Sequence, residues 1–342
     1  MTPQPHPSAD EIEAARLLLA KLGVTPNDLL TPPPATAPMP TIDQYLQRVI
    51  DAVPLASRTA YLPYWQRAAA HWPDTPLDTL SPTDISTFTE HIRAGALHRR
   101  NSRGGRSAAE HAIAALRCLY RHAVADGYLT DATNPAARVP KPRRLPSTRT
   151  ALPTNKLDQI NHTAATTGND PALDTLLLRL HTETACRRGG ALALRPRDLD
   201  TEQCLILLRE KNGTHRWQPI SPTLMTHLNA HTHHRGAAEH PDQPLLRYRN
   251  GNPITRHRYD HLWDRIGDHL PWVATQQIST HWLRHTTLTW VERNYGHAIA
   301  HAYAGHTGPT RNATDTYIRA NLEEIATALS ALTGESHPLA TP

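Results

Sequence analysis

The chain has 342 residues, 39% of them hydrophobic and 20% charged, which is the profile of a globular protein with room for two domains. A formal net charge of +5 favours a polyanionic partner, nucleic acid first among them. The 3 cysteines have no paired spacing and no apolar run approaches ~18 residues, which argues against a disulfide framework and a membrane span; a cytoplasmic protein without a membrane partner is expected.

Residues 1–40 read as an arm, partly disordered. A short amphipathic helix is expected over 11–22, and the proline-rich TPNDLLTPPPATAPMPT at 25–41 should be extended. Residues 41–133 follow as a helical domain without convincing strands. Its clearest helix is SAAEHAIAALRCLYRHAVADG, where Ser107 and Glu110 have capping-box spacing, Ile113, Leu116 and Tyr120 share a face, and Gly127 ends the run. Arg117, Arg121 and His122 fall on the other face. Directly before it, HRRNSRGGR at 98–106 carries Arg99, Arg100, Arg103 and Arg106, either a phosphate-contacting loop or a solvated charged one. The segment NPAARVPKPRRLPSTRTALP, 134–153, is a basic proline-rich linker whose Lys141, Arg143 and Arg144 could lie along a nucleic-acid backbone.

A second domain is expected over 154–320, followed by a C-terminal helix and tail at 321–342. It opens on a helical stripe of Leu173, Leu176, Leu177 and Leu180, and then GGALAL should form a short helix ended by Pro196. In CLILLREKNGTHRWQPI, Cys204, Ile206 and Leu208 alternate, Asn212-Gly213 signals a hairpin, and the return strand carries Arg216, Trp217 and Ile220. The remainder reads as helical apart from the loop after His306. The expected fold class is mainly α with a small antiparallel β-sheet.

Several polar residues in this half are poorly explained by solvation. Arg187 emerges from a junction between packed helices. Lys211 stands at a hairpin tip in a chain whose other lysines are only Lys21, Lys141 and Lys156, which raises the question of what an arginine could not do there. STHWLRHTTLTWVER reads as a helix capped by Ser279 or Thr280, with His281 and Arg284 three apart in its first turns, where free N–H groups favour an anion. Tyr317 stands in the polar run of AGHTGPTRNATDTYIRA, after His306, rather than in an apolar stripe. Singly, these could be a capping arginine, a solvated lysine, a satisfied loop histidine and a packing tyrosine. The histidines of HTHHRGAAEH, 231–240, read as a surface loop, so no metal is expected.

In order and spacing these segments resemble the tyrosine recombinases, the phage-integrase family of site-specific DNA recombinases. TACRRGGALALRPRDLD is similar to the box around the family's first catalytic arginine, REKNGTHRWQPIS to its lysine hairpin, THWLRHTTLTW to its His-x-x-Arg-His box, and AGHTGPTRNATDTYIRA to its Gly-His segment and nucleophile. The resemblance covers about residues 150–330. It implies that 41–133 is the helical core-binding domain, which contacts DNA, and that 154–320 is an α+β tyrosine-recombinase catalytic domain.

It implies further that Tyr317 attacks the scissile phosphodiester to give a 3′-phosphotyrosyl link, that Arg187 and Arg284 brace the non-bridging oxygens, and that Lys211 protonates the departing 5′-oxygen. His281 would assist proton transfer and His306 would hydrogen-bond the phosphate. No cofactor, metal or ATP is implied, because the covalent link conserves the phosphodiester energy. The implied partners are double-stranded DNA, a homotetramer in the synaptic complex, a monomer or weak oligomer without DNA, and accessory directionality proteins, with nucleoid association when on DNA. The C-terminal helix, with Leu322, Ile325, Leu329 and Leu332, would dock on a neighbouring protomer. The competing readings are an inactive DNA-binding regulator and a type IB topoisomerase-like strand transferase.

The chain departs from the family's pattern in three places. Gly190 stands where the family commonly has an acid that orients an active-site arginine or histidine, so another residue is expected to take that role. Tyr317 follows His306 by eleven residues, about two more than is common, and Ala304 replaces the customary leucine. The Thr-x-x-Arg register selects Arg187 over Arg188. Tyr295 and Tyr303 are expected to be packing residues, and His285 a supporting one.

Overall fold

The computed structural model describes residues 8–23, 25, 38–96, 103–143, 149–210, 213–305 and 321–340. Its contacts divide the chain into two units, Met1–Leu145 and Pro146–Pro342. It is mainly helical with one three-stranded antiparallel sheet, the fold class the sequence predicts.

The first unit contains α1 (Ala9–Leu22), α2 (Ile42–Ala52), α3 (Leu55–His71), α4 (Pro82–Ala94), α5 (Arg106–Ala125) and the single turn α6 (Pro135–Arg138). Helix α1 is closed by a Ser8–Glu11 capping box and buries none of its residues; Leu17, Leu18 and Leu22 are all exposed. Helices α2 to α6 enclose a core around Trp65, Phe88, Leu116, Leu119 and Tyr120. Two polar groups inside it are satisfied by backbone: Trp65 Nε1 donates to the Ala115 carbonyl at 2.8 Å and the Tyr120 hydroxyl to that of Leu77 at 3.0 Å.

Helix α5 buries Ile113, Leu116 and Tyr120 as their spacing predicts, but its start is different. The chain enters it through Gly105, which is left-handed at φ 72°, so Ser107 lies inside the first turn and does not cap. A Cβ on Gly105 would collide with the Arg93 carbonyl, so glycine is needed there for room as well as for conformation.

The second unit contains α7 (Thr154–Thr166), α8 (Pro171–Thr184), α9 (Arg188–Leu192), β1 (Leu199–Asp200), β2 (Leu205–Arg209), β3 (His215–Pro219), α10 (Pro222–His234), α11 (Arg256–His269), α12 (Pro271–Gln276), α13 (Thr280–Tyr303) and α14 (Leu322–Thr333). The predicted hairpin is β2–β3, in register Leu207 with Trp217 and Arg209 with His215, and β1 adds a short edge to it. Helix α9 ends at Leu192, before Pro196, which opens a 3-10 turn instead. The histidines read as a loop lie largely on α10, and His231 is buried there with Nε2 accepting the Arg247 N–H at 3.1 Å.

Helix α8 is the axis of this unit. Asp174 on it is fully buried between Arg258 and Arg265 of α11, at 2.6 and 2.5 Å, while Glu183 accepts from Arg179 and caps α10 through Ser221. Helix α14 packs on α8, α13 and β3 of its own domain and buries Ile325, Ala326, Ala328 and Leu329. Beyond it, Glu335 pairs with Arg179 at 2.5 Å and His337 Nε2 donates to the Cys204 carbonyl at 3.2 Å. These contacts seat the C-terminal segment on its own domain within the single chain. No helix among the described residues is long and apolar enough to cross a membrane.

Loss of hydration holds the imidazoles of buried His181 and His231 down to about 4, from the ordinary 6.5. Between those values the unfolded chain binds protons that the folded chain does not. Their contribution is therefore present in full above pH 6.5 and is lost as pH falls toward about 4, on the order of 3 kcal/mol for each histidine. Urea unfolding followed by circular dichroism is expected to show a lower midpoint at pH ~5 than at pH ~7, and His181→Gln combined with His231→Gln to flatten that difference.

Candidate active site

Helix α8 ends in Ala185, which is left-handed at φ 49°, and this turn delivers Arg187 to the N-cap of α9. The junction is firmly seated. Thr184 Oγ1 accepts the Cys186 N–H at 3.2 Å, and the neutral His181 ring donates through Nδ1 to the Cys186 carbonyl at 3.1 Å while Nε2 accepts from the Tyr259 hydroxyl at 2.9 Å. The first turns of α13 bring His281 and Arg284 to the same place. Arg187, His281 and Arg284 line one open cleft of about 720 Å³, together with Arg188, Arg256, Ser279 and Thr280.

Arg284 is buried. Its Nη1 donates to the Ala185 carbonyl and its Nη2 to that of Ala304 at 2.8 Å, so one guanidinium ties the end of α8 to the end of α13. Loss of hydration, followed by the nearby charge of Arg187, lowers its pKa from 12.5 to about 10, which still leaves it charged at neutral pH. His281 is held below the usual histidine range by loss of hydration and then by the positive charges of Arg149 and Arg284. A neutral imidazole beside guanidiniums can accept a proton.

Two residues not singled out as site residues complete the wall. Arg216, inward-facing on β3, donates to Gln218 and to the Thr184 carbonyl at 3.2 Å, and burial lowers its pKa. Glu210, immediately after β2, faces Arg187, Arg216 and Arg284 with a carboxylate whose side chain is 2% exposed. The signal for Arg216 lay in the alternation: on a strand where His215 and Trp217 face solvent, Arg216 and Gln218 must face inward. Asp260 and Asp264 also line the cleft, but the guanidiniums of Arg187, Arg188, Arg256, Arg284 and Arg216 outnumber these carboxylates and Glu210, leaving a net positive pocket with planar donors, suited to a tetrahedral oxyanion.

Lys211, His306 and Tyr317 lie outside the described residues. Of the residues next to them, Glu210 is 3.7 Å from Arg216 and Gly305 abuts the same side chain. Arg188 pairs with Asp260 at 3.3 Å on the surface, Tyr303 is fully buried with its hydroxyl donating to the Glu183 carbonyl, and Tyr295 packs against Trp290. His285 Nδ1 is 3.1 Å from Thr289 Oγ1.

Of the basic residues expected to meet a nucleic-acid backbone, Arg106, Arg121, Lys141 and Arg143 are exposed. Arg117 instead spends its guanidinium on the carbonyls of Ala136, Ala137 and Val139, fastening α6 to α5, so packing and not an open basic face accounts for it. Arg99, Arg100, Arg144 and the side chain of Arg103 lie outside the described residues.

Residues 150–324 match the phage integrase family. The chain is 25% identical over 241 residues to tyrosine recombinase XerD of Mycobacterium leprae (strain TN), covering 65% of this chain and 74% of that relative. Its fold is similar to that of a lambda integrase tetramer bound to a Holliday junction, with a TM-score of 0.60, 15% identity and 91% of each chain covered. It is also similar to XerH site-specific recombinase in a post-cleavage complex with palindromic difH substrate, with a TM-score of 0.57, 15% identity and 78% of each chain covered.

Gly305 is left-handed at φ 65°, and a Cβ there would fall on the Arg216 side chain. Gly334 is left-handed at φ 72° with open space around it. Gly334→Ala is thus expected to cost about 1 kcal/mol, from backbone strain alone, and Gly305→Ala about 2 to 4 kcal/mol, from strain plus overpacking. Equilibrium urea unfolding of the two variants measures the difference.

Proposed function

Because the chain belongs to the phage integrase family, we propose that it is a site-specific tyrosine recombinase that cleaves and rejoins double-stranded DNA through a 3′-phosphotyrosyl intermediate. The observation that carries this reading is the convergence of Arg187, His281 and Arg284 on one cleft, from two stretches of sequence almost a hundred residues apart.

The scissile phosphate sits in that cleft with its non-bridging oxygens on the guanidinium forks of Arg187 and Arg284. Tyr317 Oη forms a bond to phosphorus as the 5′-oxygen leaves. A tyrosine with a reference pKa near ~10 must shed its proton in doing so, and in this reading the neutral His281 imidazole takes it. Lys211 protonates the leaving oxygen and His306 hydrogen-bonds the phosphate. Rejoining reverses the step with a 5′-hydroxyl as nucleophile, so the bond energy is never lost to water. The positive charge that the transition state requires comes from the guanidiniums.

Residues 41–133 form the core-binding domain and grip the duplex with Arg106 and Arg121, aided by Lys141 and Arg143 of the 134–153 linker. Residues 154–320 form the catalytic domain. Each site cleaves one strand, so exchange between two duplexes takes four protomers, a stoichiometry supported by the lambda integrase tetramer on a Holliday junction. Accessory proteins set the direction, and without DNA the chain is a monomer or weak oligomer.

A nicked suicide duplex taken from repeats flanking the gene tests this reading. Wild-type protein is expected to form a covalent protein–DNA adduct on a denaturing gel, Tyr317→Phe none, and Arg187→Ala one that forms on the order of 100- to 1000-fold more slowly. No adduct on its own site would leave a DNA-binding regulator, and site-independent relaxation of supercoiled DNA a topoisomerase.

A further inference from the structure

We propose that Glu210 is the positioning carboxylate of this arginine cluster, supplied from the β2–β3 hairpin into the space that Gly190 leaves open. The inference rests on the recombinase reading above and identifies what orients its arginines.

Glu210 is fixed at both ends. Its backbone N–H donates to the Thr214 carbonyl at 2.8 Å, closing the hairpin, and its side chain is buried. One carboxylate oxygen accepts from Arg187 Nη1. The other accepts the Arg187 backbone N–H at 3.3 Å and lies 3.7 Å from Arg216 Nη2 and 4.0 Å from Arg284 Nη1. Three guanidiniums from three elements thus face one carboxylate. A buried carboxylate requires such partners, and cations crowded into one wall require an anion between them. Arg187 remains 39% exposed and, among the described residues, its guanidinium is held through Nη1, which leaves the rest of its fork to the cleft.

The place of the carboxylate is set by what faces it. Gly190, on α9 three residues after Arg187, has an ordinary backbone conformation, so glycine is not needed there for its φ. A Cβ on it would lie 3.5 Å from Glu210 Cγ, 3.8 Å from Glu210 Oε1 and 3.4 Å from the Arg209 carbonyl. An acidic side chain at position 190 would therefore enter the volume Glu210 now fills. The two positions border one slot, occupied here from the hairpin side. Glu210 also directly precedes Lys211, so the group that aims Arg187 fixes the base of the segment carrying the proposed proton donor.

The test is single-turnover cleavage of the suicide duplex at saturating DNA, with DNA affinity and thermal melting measured on the same full-length proteins. Wild type and Tyr317→Phe run in parallel; an inactive wild type would count against the recombinase reading itself and not against Glu210. With wild type active, Glu210→Gln is expected to cleave on the order of 100-fold more slowly while binding the duplex about as tightly. Glu210→Gly should be equally slow, and Gly190→Glu added to it should restore cleavage by on the order of tenfold, the carboxylate having been moved across the slot. A purely structural glutamate would not be rescued from another element. Wild-type cleavage by Glu210→Gln, or a double variant that melts like wild type yet stays as slow as Glu210→Gly, overturns the proposal.

Discussion

Guanidiniums that are to brace a phosphate must first be held in a protein wall, where they lose water and repel one another. Three arginines of this wall are stabilised by named acceptors: Ala185 and Ala304 carbonyls for Arg284, the Thr184 carbonyl and Gln218 for Arg216, and Glu210 for Arg187. Because a guanidinium is planar with donors in fixed directions, these acceptors set its orientation as well as its energy. They come from the end of α8, the end of α13 and both strands of the hairpin, so those ends cannot move independently. Among the described residues the buried Arg216 Nε has no acceptor, and it lies against Gly305.

The supporting framework applies the same physics one layer further out. Asp174 joins α8 to α11 through two arginines, and Glu183, one residue before the α8 terminus, is tied to Arg179 and to the Ser221 cap of α10. A buried ion pair is weak evidence of net stability, since desolvation offsets much of the attraction, but removing one partner strands a charge. Such pairs make alternative packings costly. That suits helices whose ends must hold side chains to fractions of an ångström.

How much of this was legible in the sequence depended on whether the deciding contact was local. The β2–β3 hairpin and the α8 stripe were readable because alternation and helical spacing are local signals, and His281 and Arg284 because three residues in a helix place them together whatever surrounds it. The strand β1, with only Leu199 and Asp200, is too short to leave a pattern. The Ser107–Glu110 box did not cap because the fit of Gly105 against Arg93, a tertiary contact, fixed where α5 begins. The stripe of α14 said that the helix docks but not on what; in this chain it docks on its own α8, α13 and β3. Glu210 could be anticipated only as a vacancy, through Gly190, since the two meet across a hairpin and a helix.

The division between arginine and lysine also follows from burial. Arg284 in its wall falls from 12.5 to about 10 and remains a cation. A lysine of reference pKa ~10.4 lowered by the same amount would titrate near ~8 and stand partly neutral, losing the charge that a bracing group must keep. That property is a fault in a brace and an asset in a proton donor, whose acidity must lie near the working pH to give a proton up. Under the proposed function, this difference is a reason for a chain so rich in arginine to keep a lysine at position 211.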